Sequence, residues 1–292
     1  MPWESAAPCL VCPLCNSRLA RRGASLVCAS SHTFDIARDG YVHLLPTTRR
    51  AQRSVGDSKE MLRARRAFLS RGHFALCSDA INALVASHLT TKASKGDSET
   101  INILDVGCGE GYFLDRLRLH LLERLDQPVT YHGVDIAKDA ARLAARRSAE
   151  LHVAVADVTT RLPYADGAFE TLLNVFAPRN PAEFARLLVS GGLLAVVIPT
   201  QQHLRELRAI ALLLGIEEDK QQRVVARLAR FFAFVDASEL EYDIELDSLD
   251  VINLVQMTPS ARHLPPKTLE GLREQLGVHT RLGFTLIRFL RT

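Results

Sequence analysis

The chain has 292 residues, of which 47% are hydrophobic and 24% charged, as in an ordinary globular protein with one large domain and a small one. No apolar run reaches the roughly 18 residues that a membrane-spanning helix needs. The first residues, MPWESAAP, lack the basic start and apolar core of a signal peptide. We therefore expect a cytoplasmic protein that is not bound to a membrane and whose six cysteines stay reduced.

The composition changes along the chain and predicts three regions. Residues 1–45 show little helical periodicity and are rich in cysteine, glycine and serine. Such a short segment cannot bury a core of its own without an added staple. We assign residues 1–45 to a small domain, 46–99 to a basic linker with helices, and 100–292 to the large domain.

The first region contains the spacing of a metal site. Cys12 and Cys15 form a CxxC pair, and Cys28 and His32 form a second pair after a gap of hairpin length. Two such pairs can meet at one tetrahedral zinc ion, which would supply the folding energy that this region lacks. Four protein ligands leave no open position, so we predict a structural zinc ion. Unrelated buried cysteines are the weaker alternative.

Cys9 could replace Cys15, because Cys9 and Cys12 also make a CxxC. Pro13 favours a fixed turn between Cys12 and Cys15, so we interpret Cys9 as a bystander. Cys77 in a helix and Cys108 in a glycine loop do not resemble ligands.

A helical pattern extends from residue 57 to residue 91, with Asp57 or Ser58 as the N-cap and a break at Gly72. Residues 90–100 read as a polar loop. Basic residues are concentrated between residues 46 and 72, namely Arg49, Arg50, Arg53, Lys59, Arg63, Arg65, Arg66 and Arg71. This excess suits a polyanion such as RNA, although a solvated helix face has the same pattern.

From residue 101 the pattern alternates between apolar strands and amphipathic helices. This alternation predicts a parallel sheet covered on both faces. The expected strands are 101–107, 129–136, 151–158, 169–177 and 192–199, with helices at 112–125, 137–147 and 183–188. Beyond residue 200 the pattern weakens to a helix at 203–214 and an acidic edge strand at 239–249.

The first strand of this region runs into a glycine loop, which places Asp105, Gly107, Gly109 and Gly111 at the start of a helix. Glycines there let a ligand approach the backbone closely. Asp135, at the end of the next strand, can hold a ribose through two hydroxyls. An acid beside the loop would repel a pyrophosphate but suits the cations of S-adenosylmethionine. We therefore prefer S-adenosylmethionine to a dinucleotide as the cofactor.

The third and fourth strands end in further candidates for this site. Asp157 can bind the adenine amino group, although a loop cap is an equally good interpretation. Asn174 offers both a donor and an acceptor to the edge of a base, and Phe176 can stack on one. The alternative is a turn that ends the strand, with Phe176 in the core.

Several segments together resemble one family, the bacterial 23S ribosomal RNA (guanine-N1)-methyltransferases. The resemblance extends over most of the chain, and its segments follow the family's order and spacing. They are CPLC, VCASSHTFDIARDGYVHLLP, GDSKEMLRARRAFLSRGHF, LDVGCGEGY, PTQQHLREL and LVQMTP.

This resemblance implies a zinc domain that helps to recognise a hairpin of 23S ribosomal RNA. A Rossmann-like class I domain that depends on S-adenosylmethionine would follow it. The family's zinc ligands correspond to Cys12, Cys15, Cys28 and His32. Its cofactor contacts correspond to Phe74, Gly109, Glu110 and His203, and the resemblance also implies a homodimer.

Guanine N1 must lose a proton before it can accept a methyl group, and the target base must leave its helix. Asp166, Glu170 and Asn174 lie near enough in sequence to be considered as a base, but none is convincing. Two other functions stay open: methylation of a small molecule or another RNA, and RNA binding without catalysis.

Overall fold

The computed structural model describes residues 3, 9–46, 56–93, 100–211, 215–216, 219–258 and 277–292. Residues 92–93 and 209–211 are described by their backbone alone. Arg49, Arg50 and Arg53 of the basic segment lie outside the described residues.

The N-terminal module is a small antiparallel sheet of three strands. Their order is β1 (Leu19–Arg22), β2 (Ser25–Cys28) and β3 (Thr33–Asp35). The module is attached to the large domain by a β-bridge between Leu10 and Tyr164, both fully buried. It therefore shares a hydrophobic core with one face of the main sheet.

The main sheet has eight strands and carries the site. In spatial order they are β10 (Phe232–Leu246), β11 (Val278–Arg291), β9 (Leu188–Pro199), β8 (Phe169–Val175), β5 (Ile101–Val106), β6 (Val129–Asp135), β7 (Leu151–Val155) and β4 (Val42–His43). Neighbours from β9 to β4 pair in parallel, whereas β11 is antiparallel to both β9 and β10. The predicted parallel strands are confirmed, and β10 is the acidic edge strand.

Helices cover both faces of this sheet. They are α1 (Lys59–Ser70), α2 (Ala75–Ala93), α3 (Tyr112–Leu121), α4 (Lys138–Ala145), α5 (Pro181–Leu187), α6 (Arg205–Ala211), α7 (Lys220–Leu228) and α8 (Ser248–Gln256). Side chains of α2, α3, α4 and α8 pack on one face, and those of α5 and α7 on the other together with the N-terminal module. This arrangement explains why the central strands are apolar on both sides.

The expected helix break at Gly72 is confirmed, since α1 and α2 meet there and Gly72 has a φ of 82°. Ser58 is the N-cap of α1 and accepts a hydrogen bond from the Met61 amide at 3.2 Å. Such a cap typically contributes about 1 kcal/mol. The predicted start of the loop at residue 90 was wrong, because α2 continues to Ala93.

The strand order reverses between β5 and β8, whose carboxyl ends point the same way. The connections that follow these two strands run to opposite faces of the sheet, so a crevice opens between them at this edge. In parallel α/β sheets ligands bind in this crevice.

Candidate active site and metal centre

A cavity of about 760 Å³ lies across the carboxyl ends of the parallel strands. It has the size of a typical ligand pocket. Of the ten residues predicted for the cofactor site, eight line it: Phe74, Asp105, Gly107, Gly109, Glu110, Asp135, Asp157 and His203. Gly111 and Asn174 are not among the residues that line the cavity.

Gly107 brings the cofactor loop against the turn that follows β8. Its φ is 78°, and a β-carbon placed on it would lie 2.5 Å from the β-carbon of Ala177. Only a glycine fits there. Gly111, with a φ of 82°, serves packing instead, since a β-carbon on it would lie 3.0 Å from that of Ala144.

Asp105 lies at the end of β5 with a carboxyl oxygen, Oδ1, that has no hydrogen-bond partner. Burial, and then the nearby Asp135, raise the pKa of this carboxyl to about 7. An orphaned acceptor at the base of a cavity suits a ligand that brings its own donor or positive charge. The amino group of S-adenosylmethionine fits this description.

Asp135 is held in place by two backbone amides. One carboxyl oxygen accepts from Gly109 at 2.9 Å and the other from Ala137 at 2.8 Å. Burial nevertheless raises the pKa of Asp135. Each oxygen keeps a lone pair for another donor, so the carboxylate can receive two ribose hydroxyls.

Glu110 and Asp157 both form hydrogen bonds within the protein. Both carboxyl oxygens of the buried Glu110 bind the Arg147 guanidinium, so its side chain locks the loop to the end of α4. Asp157 accepts hydrogen bonds from the Thr159 amide at 2.9 Å and the Thr159 hydroxyl at 2.6 Å. The loop-cap interpretation of Asp157 is thus confirmed, although the residue also lines the cavity.

Asn174 fixes the turn after β8 and uses its amide to do so. Its Nδ2 donates to the Pro178 carbonyl at 3.0 Å, and its Oδ1 accepts from Arg179 at 3.3 Å. In this structure both ends of the Asn174 amide support the turn, and the contact with a base edge stays a prediction. Phe176 within this turn has a φ of 54° and is 42% exposed, so the core placement was wrong. A bulky residue in this conformation is strained.

Aromatic side chains form the wall next to this turn. Phe74 contacts Phe176, Phe284 and His203 with ring centroids 6.2, 5.1 and 6.3 Å away. Burial lowers the pKa of His203 to about 3, so its imidazole is neutral. Because Nδ1 accepts from the Gly283 amide at 3.3 Å, Nε2 carries the proton and is a donor.

The four predicted metal ligands come together in the N-terminal module. Their ligand atoms all lie within 4.8 Å of one another. The sulfurs of Cys15 and Cys28 are 3.6 Å apart, and His32 Nδ1 lies 3.5 Å from the Cys12 sulfur and 3.4 Å from that of Cys28. A tetrahedral zinc ion at its usual bond lengths separates two sulfurs by roughly 3.8 Å, and sulfur from nitrogen by roughly 3.6 Å. The cluster is therefore able to bind one metal ion.

Two tight turns build this cluster. Asn16 and Ser31, which follow the cysteines, have φ values of 59° and 63°. Backbone amides donate to the sulfurs, that of Leu14 to Cys12 at 3.4 Å and that of His32 to Cys28 at 3.3 Å. Such donors favour thiolates, the form that binds zinc.

The remaining cysteines lie outside this group. Cys9 is buried between the module and the large domain, and burial raises the pKa of its thiol to about 11. Cys77 and Cys108 are buried in the other core. The interpretation of Cys9 as a bystander agrees with this placement.

The basic side chains of α1 divide into two kinds. Arg65 pairs with Asp57, donates to the Met257 carbonyl at 3.0 Å and lines the cavity, while Arg71 pairs with Asp247 and Asp250. Arg63 and Arg66 are exposed, and no described carboxylate lies within ion-pair distance of either.

The structure does not place Asp166 or Glu170 where either could act as a base on a bound guanine. Asp166 is tied to Arg186 at 2.6 Å, and Glu170 near the start of β8 accepts from the Asn102 amide at 2.7 Å. Neither residue is among those that line the cavity.

Family models match both parts of the chain. The model described as "RlmA, N-terminal", a zinc ribbon, matches residues 10–53, and a "Methyltransferase domain" model matches residues 103–192. The 23S rRNA (guanine(748)-N(1))-methyltransferase of Streptomyces fradiae is 37% identical over 273 residues, 92% of each chain. The chain belongs to the 23S rRNA (guanine-N1)-methyltransferase family.

Two more relatives carry names for guanine-N(1) methylation of 23S rRNA. One from Micromonospora griseorubida is 39% identical over 274 residues, and YxjB of Bacillus subtilis (strain 168) is 36% identical over 272 residues, each across 90% of both chains. The methyltransferase thus has a Rossmann-like class I domain that uses S-adenosylmethionine, together with a zinc ribbon. None of the described helices of the methyltransferase combines the length and the apolar composition that a bilayer span requires.

Sequence reasoning missed several residues of this cavity, above all Arg65, Arg179 and Lys220. Arg179 follows the Asn174–Pro178 turn, which was a usable signal. Lys220 at the start of α7 reaches the cavity only through tertiary packing, so its sequence position gave no signal.

Proposed function

We propose that this methyltransferase transfers a methyl group from S-adenosylmethionine to N1 of a guanine in a hairpin of 23S ribosomal RNA. The observation that carries the proposal is 36–39% identity to relatives named for this reaction, across about nine tenths of each chain. The cavity supports it with acids on its cofactor side and an exposed aromatic ring, Phe176, on the other.

S-adenosylmethionine, when bound, supplies an electrophilic methyl group on a positively charged sulfur. In our proposal Asp105 holds its amino group, and Asp135 holds the ribose hydroxyls. The backbone at Gly107 and Gly109 gives it room, and Asp157 receives the adenine amino group. Neutral His203 donates from Nε2, and Phe74 supplies apolar contact.

Three of the predicted residues take supporting roles. Glu110 fixes the loop through Arg147, since both of its carboxyl oxygens are occupied. Gly111 allows α4 to pack close to the start of α3. Asn174 holds the turn that presents Phe176.

Phe176 is the proposed platform for the target base. Its ring is exposed and is held by contacts to Phe74, Phe113 and Phe284. An extruded guanine can stack on such a ring, because an unstacked base regains energy on an aromatic side chain. Much of the rate then comes from placing N1 in line with the methyl group.

The zinc ribbon is proposed to present the RNA-reading surface, with Cys12, Cys15, Cys28 and His32 as the ligands of one structural zinc ion. Residues 1–45 form this domain, 46–99 the basic linker and helices, and 100–292 the catalytic domain. The exposed Arg63 and Arg66 contact RNA phosphates. A cytoplasmic location and a homodimer complete the proposal; light scattering after size-exclusion chromatography tests the dimer.

The test is nucleoside mass spectrometry after incubation with S-adenosylmethionine. Ribosomal RNA from a strain that lacks this gene should gain 1-methylguanosine. Free guanosine and small metabolites should gain no methyl group. Methylation of a metabolite alone would favour a small-molecule enzyme, and no methylation despite S-adenosylmethionine binding would favour an RNA-binding protein.

A further inference from the structure

The charged residues that line the cavity are separated by sign along the sheet. The acids Asp105, Asp135 and Asp157 lie at or just beyond the carboxyl ends of β5, β6 and β7, which are consecutive strands on one side of the reversal point. Glu110 lies on the same side, neutralised by Arg147, and Asp57 pairs with Arg65. Arg179 follows β8 on the other side, and Lys220 lies at the start of α7.

In the part of the chain that the structure describes, Arg179 and Lys220 have no carboxylate as a counter-ion. Among the described residues, no carboxylate lies within ion-pair distance of either one, although both are partly buried. One edge of the Arg179 guanidinium donates to Asn174 at 3.3 Å, and its other N–H groups have no protein acceptor in the described chain. Unpaired, half-buried cations in a cavity indicate an anionic ligand.

The positive charge of Arg179 acts on Lys220, and Arg179 is itself repelled by Arg227. Burial and the nearby Arg227 lower the pKa of Arg179, while burial and Arg179 lower that of Lys220. An anion between them would relieve this repulsion. His203 is neutral and so adds no further positive charge to the cavity.

S-adenosylmethionine also carries a carboxylate, but this group shares a carbon with the amino group that Asp105 holds in our proposal, so we place it on the acidic side beside the sulfonium. The second substrate is then the anion that we assign to the two cations. Guanine becomes an anion when N1 loses its proton, and its charge is then shared between N1 and O6. None of the described carboxylates lines the acceptor side of the cavity as a free base.

We propose that Arg179 and Lys220 form an oxyanion site that binds O6 of the target guanine and stabilises the base in its N1-deprotonated form. This inference rests on the proposed function. The N1–H bond breaks with its electron pair left on the base, and the proton passes to water. That pair forms the new N1–carbon bond, while the carbon–sulfur pair stays on sulfur.

The separation of acids and cations across the cavity would favour this methyl transfer. S-adenosylmethionine held on the acidic side would bring a positive sulfonium, and the N1-deprotonated base held by Arg179 and Lys220 would bring a negative charge. Both charges would disappear on methyl transfer. Preorganised groups that stabilise charge in the reacting state give the largest single contributions to catalysis. Arg179 keeps its charge throughout the working pH range, so it can play this role without a proton transfer of its own.

The test is the pH dependence of single-turnover methyl transfer by Arg179→Gln and Lys220→Gln. We expect the Arg179→Gln rate to fall on the order of 100-fold near neutral pH. We also expect the rise of the rate with pH to move upward by about one pH unit or more, because the base deprotonates less readily. RNA affinity and S-adenosylmethionine affinity should change little, and Arg179→Lys should restore part of the rate.

Arg230→Gln is the matched control, since Arg230 is exposed, stacks on Phe231 and is not among the residues that line the cavity. It removes the same charge and should leave the profile unchanged. An Arg179→Gln enzyme with an unmoved pH profile but weaker, less salt-dependent RNA binding would overturn the inference in favour of a phosphate contact. Failure of the proposed function would instead appear in the wild-type enzyme, as absence of 1-methylguanosine.

Discussion

Gly107 and Ala177 lie against each other where the cofactor loop meets the turn that presents Phe176. The contact joins the two halves of the active site, because Gly107 follows β5 and Ala177 follows the neighbouring β8. A substitution at either residue should therefore alter the binding of both substrates.

Gly107→Ala should weaken the binding of S-adenosylmethionine. The new β-carbon would meet that of Ala177 at 2.5 Å, and the φ of 78° disfavours a side chain. We expect a cost of roughly 1–3 kcal/mol from overpacking in addition to the backbone strain. Calorimetric titration should show at least about a tenfold loss in affinity, and thermal unfolding should shift downward.

Gly23→Ala separates strain from contact, since Gly23 has a φ of 60° but nothing within 4 Å of its β-carbon position. It should cost only roughly 1–2 kcal/mol of stability. The double variant Gly107→Ala/Ala177→Gly should regain part of the affinity. No recovery would show that the contact is not what matters.

Asp105→Asn should stabilise the cofactor-free protein at pH 8 and weaken cofactor binding. The folded-state pKa of about 7 lies above the ordinary value of 3.8, so the stability that the carboxyl contributes is lost as pH rises between these values. The neutral amide removes this loss, which is of order 2–4 kcal/mol. Denaturant unfolding at pH 5 and pH 8 should show a gain that is larger at pH 8.

The same carboxylate makes cofactor affinity depend on pH. Below pH 7 Asp105 takes up a proton and no longer attracts the amino group, so affinity should fall toward acid pH in the wild type but not in Asp105→Asn. Equal pH dependence in both proteins would exclude Asp105 as the group that binds the cation.

Replacing Cys12, Cys15, Cys28 or His32 with alanine should remove about one zinc ion per chain, because each would leave only three ligands. Cys9→Ala should keep the metal, since the Cys9 thiol is buried away from the cluster. Elemental analysis of the purified proteins measures the content. Zinc lost from Cys9→Ala but retained in Cys15→Ala would reverse the assignment.

Arg63→Gln and Arg66→Gln should each weaken RNA binding and lower the slope of log affinity against log salt by roughly 0.7–0.9, as expected for one phosphate contact. Cofactor affinity should stay the same. Arg124→Gln, an exposed arginine near the far end of α3, is the control with the same charge change. If Arg63→Gln and Arg66→Gln had the same salt slope as the control Arg124→Gln, α1 would not face the RNA.

The sequence predicted the parts of the site whose positions follow from local patterns. Asp105, Asp135 and Asp157 end apolar strands, and parallel strands bring such residues to one edge. The zinc cluster was likewise set by spacing. The hydrogen bonds of Asn174 to Pro178 and Arg179 could not be predicted from the sequence, because they depend on the shape of the turn.

Other features of the site and the fold could not be predicted from the sequence, because they depend on tertiary packing. Lys220 reaches the cavity because α7 packs on the face of the sheet that also holds the N-terminal module, with Val224 and Leu228 buried in that core. The short strand β4 pairs with β7 and so ties the end of the N-terminal region to the catalytic sheet. A strand of two residues, Val42–His43, leaves no periodic pattern to recognise.

The most direct measurement is primer extension on 23S ribosomal RNA from a strain that lacks this gene, after incubation with the purified enzyme and S-adenosylmethionine. A methyl group on N1 blocks base pairing and halts the reverse transcriptase. We predict one new stop, next to a single guanine in a hairpin, that disappears when S-adenosylmethionine is withheld. Absence of a new stop, or methylation at a position that leaves base pairing intact, would contradict the account.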